Sequence, residues 1–323
     1  MKKRENTFSK EEFFRKKSVV VAGALLCCAL WGSAFPLVKI EYKLLDINGA
    51  GSQILFGGYR FLLAGLLTLL AAALSGHKVT EIKRSSIPYI CMQGLLQTTA
   101  QYVFFFIGLA NATGARSSII NGSSSFFSII VAHFLIPSEK MTKRKALGCA
   151  VGFLGIIAMN LTLGEKAVPM RFIGEGFVLI CSIAYGASSV TMKMISHRED
   201  TTLLTGTQFV FGSSVMIALG LLLGGKVGAF TLKSALLLGY LAALSTVAFS
   251  LWAMLLKYNP VGKVAVFGFS IPIFGVVFSA LLLGEKVLTV NNLIALALVS
   301  LGIIIVNDPF GHAQKVSAGS KTA

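Results

Sequence analysis

The sequence predicts an all-α membrane protein, with ten transmembrane helices built as two inverted five-helix repeats. Three observations carry that prediction. Of the 323 residues, 55% are hydrophobic and 13% charged, about half the charged share of a soluble globule. The apolar residues gather into ten long runs, and the second half of the chain echoes the first. A mean hydropathy of +0.78 excludes a disordered chain, and a soluble body on one anchor would need a long charged remainder that the sequence lacks.

A membrane helix needs roughly 20 apolar residues. The runs near that length are Ser18–Val38, Gly51–Leu74, Ile87–Leu109, Ala115–Ile136, Ala146–Leu163, Phe172–Ile195, Leu203–Gly224, Leu232–Leu255, Val264–Leu283 and Asn291–Val306. Each is continuous, whereas the strands of a membrane barrel would alternate over about ten residues, so backbone polar groups must be satisfied within helices. The basic start followed by an apolar run is laid out like a signal peptide, but the run exceeds a signal core and reads as a retained first span. Residues 1–17 then form a basic tail, 18–163 the first repeat, 164–306 the second and 307–323 a C-terminal tail.

Ten spans put both ends on one side. That side carries 20 Lys and Arg against 8 on the other, and basic excess marks the cytoplasmic face, so both termini are expected inside. The formal net charge of +16 is therefore a matter of topology, and no nucleic-acid partner is expected. Cys27, Cys28, Cys91, Cys149 and Cys181 sit inside apolar runs without disulfide or zinc spacing and read as packing residues, with no metal or cofactor expected.

The repeat shows in the second and seventh runs, where Gly51-Ser52-Gln53-Ile54-Leu55-Phe56-Gly57 matches Gly206-Thr207-Gln208-Phe209-Val210-Phe211-Gly212 as G-x-Q-x-x-F-G. Leu154-Gly155-Ile156-Ile157 with Asn160 matches Leu301-Gly302-Ile303-Ile304 with Asn307, Glu139-Lys140 matches Glu285-Lys286, and Trp31-Gly32 through Lys39 matches Tyr185-Gly186 through Lys193. Five helices is an odd number, so the second copy must enter from the opposite side. Loop charge agrees: residues 138–145 hold four basic residues, and their counterpart 284–291 holds one. Inverted halves suit secondary transport, because exchanging the conformations of two similar halves moves a central site from one face to the other.

Polar residues repeated at helical spacing must face protein or a water-filled path. Gln93, Gln97 and Gln101 recur every fourth residue in the third run; Ser117, Asn121, Ser124 and Ser128 share a face of the fourth. They either line a cavity for a small polar solute or bond neighbouring helices. Trp31 and Phe35 in the first run, Ser182, Tyr185 and Ser189 in the sixth, Ser245, Thr246 and Phe249 in the eighth, and Phe267 and Ser270 in the ninth extend the candidate set, while Trp252 reads as an interfacial anchor. Arg60 falls near mid-span, where a cation needs a partner, and no Asp or Glu lies deep in any run. It either binds a substrate carboxylate or clamps carbonyls. Lys39 and Lys193 are snorkelling or gating charges, His133 a packing residue or proton relay, Pro272 a kink, and Gly148, Gly152 and Gly155 a small-residue packing face or dimer seam.

The Trp31-Gly32-Ser33-Ala34-Phe35 segment with Lys39, the Tyr59-Arg60-Phe61 step, and the Glu139-Lys140 and Glu285-Lys286 turns before Gly-rich runs resemble the EamA family of the drug/metabolite transporter superfamily over nearly the whole chain. The resemblance implies a ten-helix carrier in the bacterial cytoplasmic membrane, usually an exporter of amino acids or related small metabolites. It places the path among the first, third, fourth, sixth, eighth and ninth spans, leaving Arg60 peripheral and favouring its structural role. A phosphate-ester or nucleotide-sugar antiporter is the alternative if Arg60, Lys39 and Lys193 line the path. No constellation of nucleophile, acid and metal ligand supports a membrane-embedded enzyme, nor any ring or filter a channel. The expected partners are a small-molecule substrate and the lipid bilayer, for a monomer or homodimer.

Overall fold

The computed structural model describes residues 10–137, 139–158, 170–195, 198–259, 264, 266–286 and 289–307. Among them it is helical throughout, with no strand. After α1 (Lys10–Arg15) come α2 (Lys17–Leu44), α3 (Gly49–Leu74), α4 (Ile87–Gln93), α5 (Gln101–Asn111), α6 (Gly114–Asn121), α7 (Ser124–Leu135), α8 (Lys143–Ala158), α9 (Phe177–Ile195), α10 (Thr201–Leu222), α11 (Leu232–Tyr258), α12 (Ser270–Leu283) and α13 (Val290–Asn307). Seven helices are long and apolar enough to cross a bilayer, counting Arg84–Asn111, Gly114–Leu135 and Phe172–Ile195 as one each; Phe267–Leu283 and Val290–Val306 are shorter apolar helices. The expected repeat boundary at 163/164, both chain ends and Asn160 lie outside the described residues.

Helix ends depart from the apolar runs where hydrogen bonding, not hydropathy, sets the boundary. α2 runs past Val38, the end of the first apolar run, to Leu44, stopping only where the chain turns at Asp46, whose φ is 47°. The third run changes winding: Gly94–Ala100 is a π-helix between α4 and α5, a departure that recurs at functional sites. The fourth breaks between α6 and α7, where the Ser118 and Ser123 hydroxyls donate to the Ala115 and Ile120 carbonyls and compete with the helical ladder. Pro272 falls in the first turn of α12, after the 3-10 turn Val266–Phe269, where its missing N–H costs nothing; the expected mid-span division is a helix start.

Glycine seams set the closest packing. Gly51 faces Leu223 and Gly225, Gly58 faces Ile217, and Gly65 faces Val210, so α3 and α10 run antiparallel. A methyl on Gly65 would stand 2.9 Å from the Val210 nitrogen. Gly148 faces Gly302 and Val306 while Gly155 faces Ala295 and Leu298, so α8 and α13 are antiparallel too, and the glycine face of α8 is used within the chain. α2 packs on α11 and α12; α9 packs on α5 and α7. An aromatic core of Phe56, Phe61, Phe106 and Phe209 fills the space between α3, α5 and α10.

Candidate functional site

Between these helices lies a cavity of about 610 Å³. Trp31, Phe35, Arg60, Gln97, Gln101, Asn121, Ser124, Tyr185, Ser189, Lys193 and Phe249 are on its wall, with Ser128. They come from widely separated parts of the chain, brought together by α2, α3, the π segment, α5 to α7, α9 and α11. Trp252, expected as an interfacial anchor, lines the same space, its ring edge-on to Trp31 at 5.2 Å between centroids, and Phe249 meets Trp31 at 5.4 Å.

The glutamines form a network rather than a simple stripe. Gln97 accepts from the amides of Gln93 at 3.0 Å and Gln208 at 3.1 Å, while Gln208 accepts from the Thr98 hydroxyl at 2.8 Å. Gln93 is fully buried and also donates to the Ser188 carbonyl at 3.0 Å. With both partners on its oxygen, Gln97 is left to offer its NH2 to the cavity. Gln208 is the glutamine of the repeat motif in α10, with a chemical role that the motif alone did not signal.

Other candidates stand off the wall. Ser117 and Ser270 are buried, and Ser245 is buried beneath Arg60; Phe267 packs with Val20, Ala24, Leu255 and Val264. His133 accepts the Met141 backbone N–H at 3.1 Å, tying down the turn after α7. Ser182 donates to the Val178 carbonyl, and Thr246 donates to that of Ala64. Arg60, 2% exposed, donates through Nε to the Leu241 carbonyl at 3.2 Å and through Nη2 to Ser245 Oγ at 3.0 Å, and its guanidinium carbon lies 5.1 Å from the Phe61 ring centre. Tyr102, Phe105, Ser125 and Thr205 also line the cavity; their spacing carried no signal beyond that of ordinary packing.

The two ends differ. At one, the wall runs out to Ile136, Glu139, Lys193 and Glu199, where Lys193 pairs with Glu139 at side-chain exposures of 44% and 32%. At the other, the helices are tied shut. Glu285 accepts from the backbone N–H groups of Gly114 at 2.9 Å and Ala115 at 3.0 Å, at the N-terminus of α6, where a helix favours negative charge. Lys39 donates to the carbonyls of Ala112 at 2.6 Å and Leu109 at 3.3 Å. Arg116 and Glu175, 8% and 4% exposed, pair at 2.9 Å. Glu41, in the part of α2 beyond the apolar run, is fully buried and among the described residues has no hydrogen bond to either oxygen, but it is off the cavity wall.

The EamA-like transporter family model matches the chain twice, at residues 18–161 and 172–308. A Salmonella typhimurium protein named "Probable amino-acid metabolite efflux pump" is 23% identical, over 91% of this chain and 96% of its own. An Archaeoglobus fulgidus protein named "Uncharacterized transporter" is 25% identical, over 81% of this chain and 88% of its own. A solved structure titled "Crystal structure of protein" shares the fold with a TM-score of 0.65 at 17% identity, covering 90% of this chain and 96% of that one. The chain is an integral membrane protein and belongs to the EamA-like transporter family.

Proposed function

We propose that this protein is a secondary carrier, an exporter of small polar metabolites such as amino acids or their derivatives, working by alternating access between two inverted five-helix halves in the bacterial cytoplasmic membrane. The observation that carries the reading is a cavity lined by amides, hydroxyls and aromatic rings, tied shut at one end and reaching exposed residues at the other. The packing supports inversion: α3 and α10, counterparts in the repeat, cross antiparallel, as do α8 and α13. Counterparts also make counterpart contacts. Gly32 of α2 lies against Phe274 and Gly275, and Gly186 of α9 against Phe127 and Ser128.

In this reading the end bearing Glu139 and Lys193 is cytoplasmic, by loop charge, and open, while Glu285, Lys39 and the Arg116–Glu175 pair hold the outer end closed. Glu139 and Lys193 are the repeat counterparts of Glu285 and Lys39. Rocking the halves releases the outer ties and lets the inner pair take up equivalent ones on the last turns of α11 and the start of the ninth span. The phosphate-ester alternative fits less well, because Lys39 is held by carbonyls and Lys193 by Glu139, leaving one interior cation. Export of lipophilic cations is not favoured either, since Glu41 does not reach the cavity.

The test is counterflow in liposomes against a panel of amino acids, nucleosides, sugars and amines. Replacing Gln97 or Asn121 with Leu should reduce transport of the accepted solute by at least about tenfold, the worth of a lost buried hydrogen bond with its partner stranded, while the protein stays folded. Parent rates in both variants would reduce these residues to packing.

A further inference from the structure

Arg60 is bound on two sides and left open on the third. Its Nε and Nη2 are held by Leu241 and Ser245, but Nη1 is buried without a hydrogen-bond partner, and no carboxylate pairs with the guanidinium among the described residues. Two more orphaned polar atoms belong to cavity-wall residues: Trp31 Nε1, a donor, and Gln101 Oε1, an acceptor. The three side chains are linked through their neighbours. Ser245, under Arg60, is one turn before Phe249, which meets Trp31; Tyr102, next to Gln101, lies 4.0 Å from Phe61, next to Arg60.

A buried donor or acceptor without a partner is costly, and a buried cation without a counter-ion more so. The other charges on the wall do not balance Arg60, since Glu139 and Lys193 pair at the rim and Glu199 is occupied by the Lys83 N–H and the Ser86 hydroxyl. The interior therefore holds one uncompensated positive charge, two unused donors and one unused acceptor. An α-amino carboxylate matches these groups by polarity: its carboxylate accepts from the two donors, beside the Arg60 charge, and its ammonium donates to the one acceptor. The orphaned atoms are shielded from water, so nothing but a polar solute reached by a shift of these side chains would satisfy them.

We propose that Arg60 is a substrate-binding residue that takes the carboxylate of a small amino acid with an uncharged side chain, Trp31 Nε1 adding a second donor and Gln101 Oε1 accepting from the ammonium. This rests on the carrier reading above and names the chemistry at its centre. The test uses the full chain in liposomes and triplets of probes: each neutral L-amino acid, its amide, and its decarboxylated amine, with glycerol 3-phosphate, sugars and nucleosides alongside. Flux is read by counterflow and binding by the fluorescence of the two tryptophans, both on the wall.

The acid of at least one triplet should bind and move, with amide and amine roughly tenfold to hundredfold weaker. Arg60→Met should collapse that acid-over-amide preference to within about threefold. A purely structural arginine would lower all three probes together. If Arg60→Met does not fold, Trp31→Phe, which removes one carboxylate donor, should still narrow the preference. The proposal is overturned if amide or amine matches acid in the unaltered protein, if folded Arg60→Met keeps the preference, or if flux appears only for phosphates, sugars or nucleosides. The last outcome leaves the carrier reading standing; no flux for any solute would sink that reading instead.

Discussion

Removing the carboxylate of Glu285 should open the outer end of the cavity. Its two oxygens hold the N–H groups of Gly114 and Ala115 at 2.9 and 3.0 Å, joining the chain just after α12 to the start of α6. A hydrogen bond to a charged acceptor contributes about 1.5–3 kcal/mol, and because Glu285 is only half-buried the lower figure applies to each. Glu285→Ala then removes about 3 kcal/mol from the closed arrangement, and little from an open one in which water reaches both amides. At about 1.4 kcal/mol per decade this is a shift of roughly a hundredfold toward outward opening. Glu285→Gln, which keeps one neutral acceptor, should shift it about tenfold. The reporter is Ser279→Cys, a buried position lying against Gly114, labelled from outside intact cells by a membrane-impermeant maleimide. Equal labelling rates with Glu285 and with Ala at this position would refute the tie as a gate.

Two further outcomes test the packing. Gly65→Val should lower the melting temperature of detergent-solubilised protein by several degrees, or prevent folding, because the new side chain would press on the backbone of α10 around Gly206 and Val210; an unchanged melting curve would show that the seam is looser than its glycines imply. All five cysteines are free, and Cys27, Cys28, Cys149 and Cys181 are buried, so a thiol reagent applied to the native protein should modify Cys91 alone until the protein is unfolded. Rapid labelling of all five by mass spectrometry without denaturant would contradict this core.

The helices and the site differ in how far they could be read from the chain. Hydropathy found the seven long spans because lipid demands long apolar segments, but it ends a segment at the first charge, and α2 keeps its hydrogen bonds through Lys39, Glu41 and Lys43. The true end of the helix was thus hidden, and the buried Glu41 with it. Arg116 sits at the start of a span, where a cation looks like an interfacial residue; only the fold brings Glu175 beside it. Periodicity put Gln93, Gln97 and Gln101 on one face, but which of them meets the cavity depends on Gln208 and Ser188, from helices more than ninety residues away. Trp252 shows the same limit: position along a helix suggests the interface, whereas its contact with Trp31 at the cavity is a tertiary fact.

The same turn sequence in two environments bears most directly on mechanism. Glu139-Lys140 and Glu285-Lys286 are alike in sequence, and Lys39 and Lys193 occupy matching places, yet Glu285 and Lys39 are engaged with backbone at a closed end while Glu139 and Lys193 are engaged with each other at an open rim. Two halves of one design in a single rigid shape would make matching contacts at both ends. Here the matching groups make different contacts at the two ends, the asymmetry expected if the halves exchange conformations during a transport cycle. The Glu139–Lys193 pair costs little to separate, because an exposed ion pair contributes only about 0–1 kcal/mol, so in the proposed cycle this rim would close at little cost. The ties at the closed end are more buried, and in the proposed cycle a solute that satisfies Arg60 inside the cavity would offset their loss.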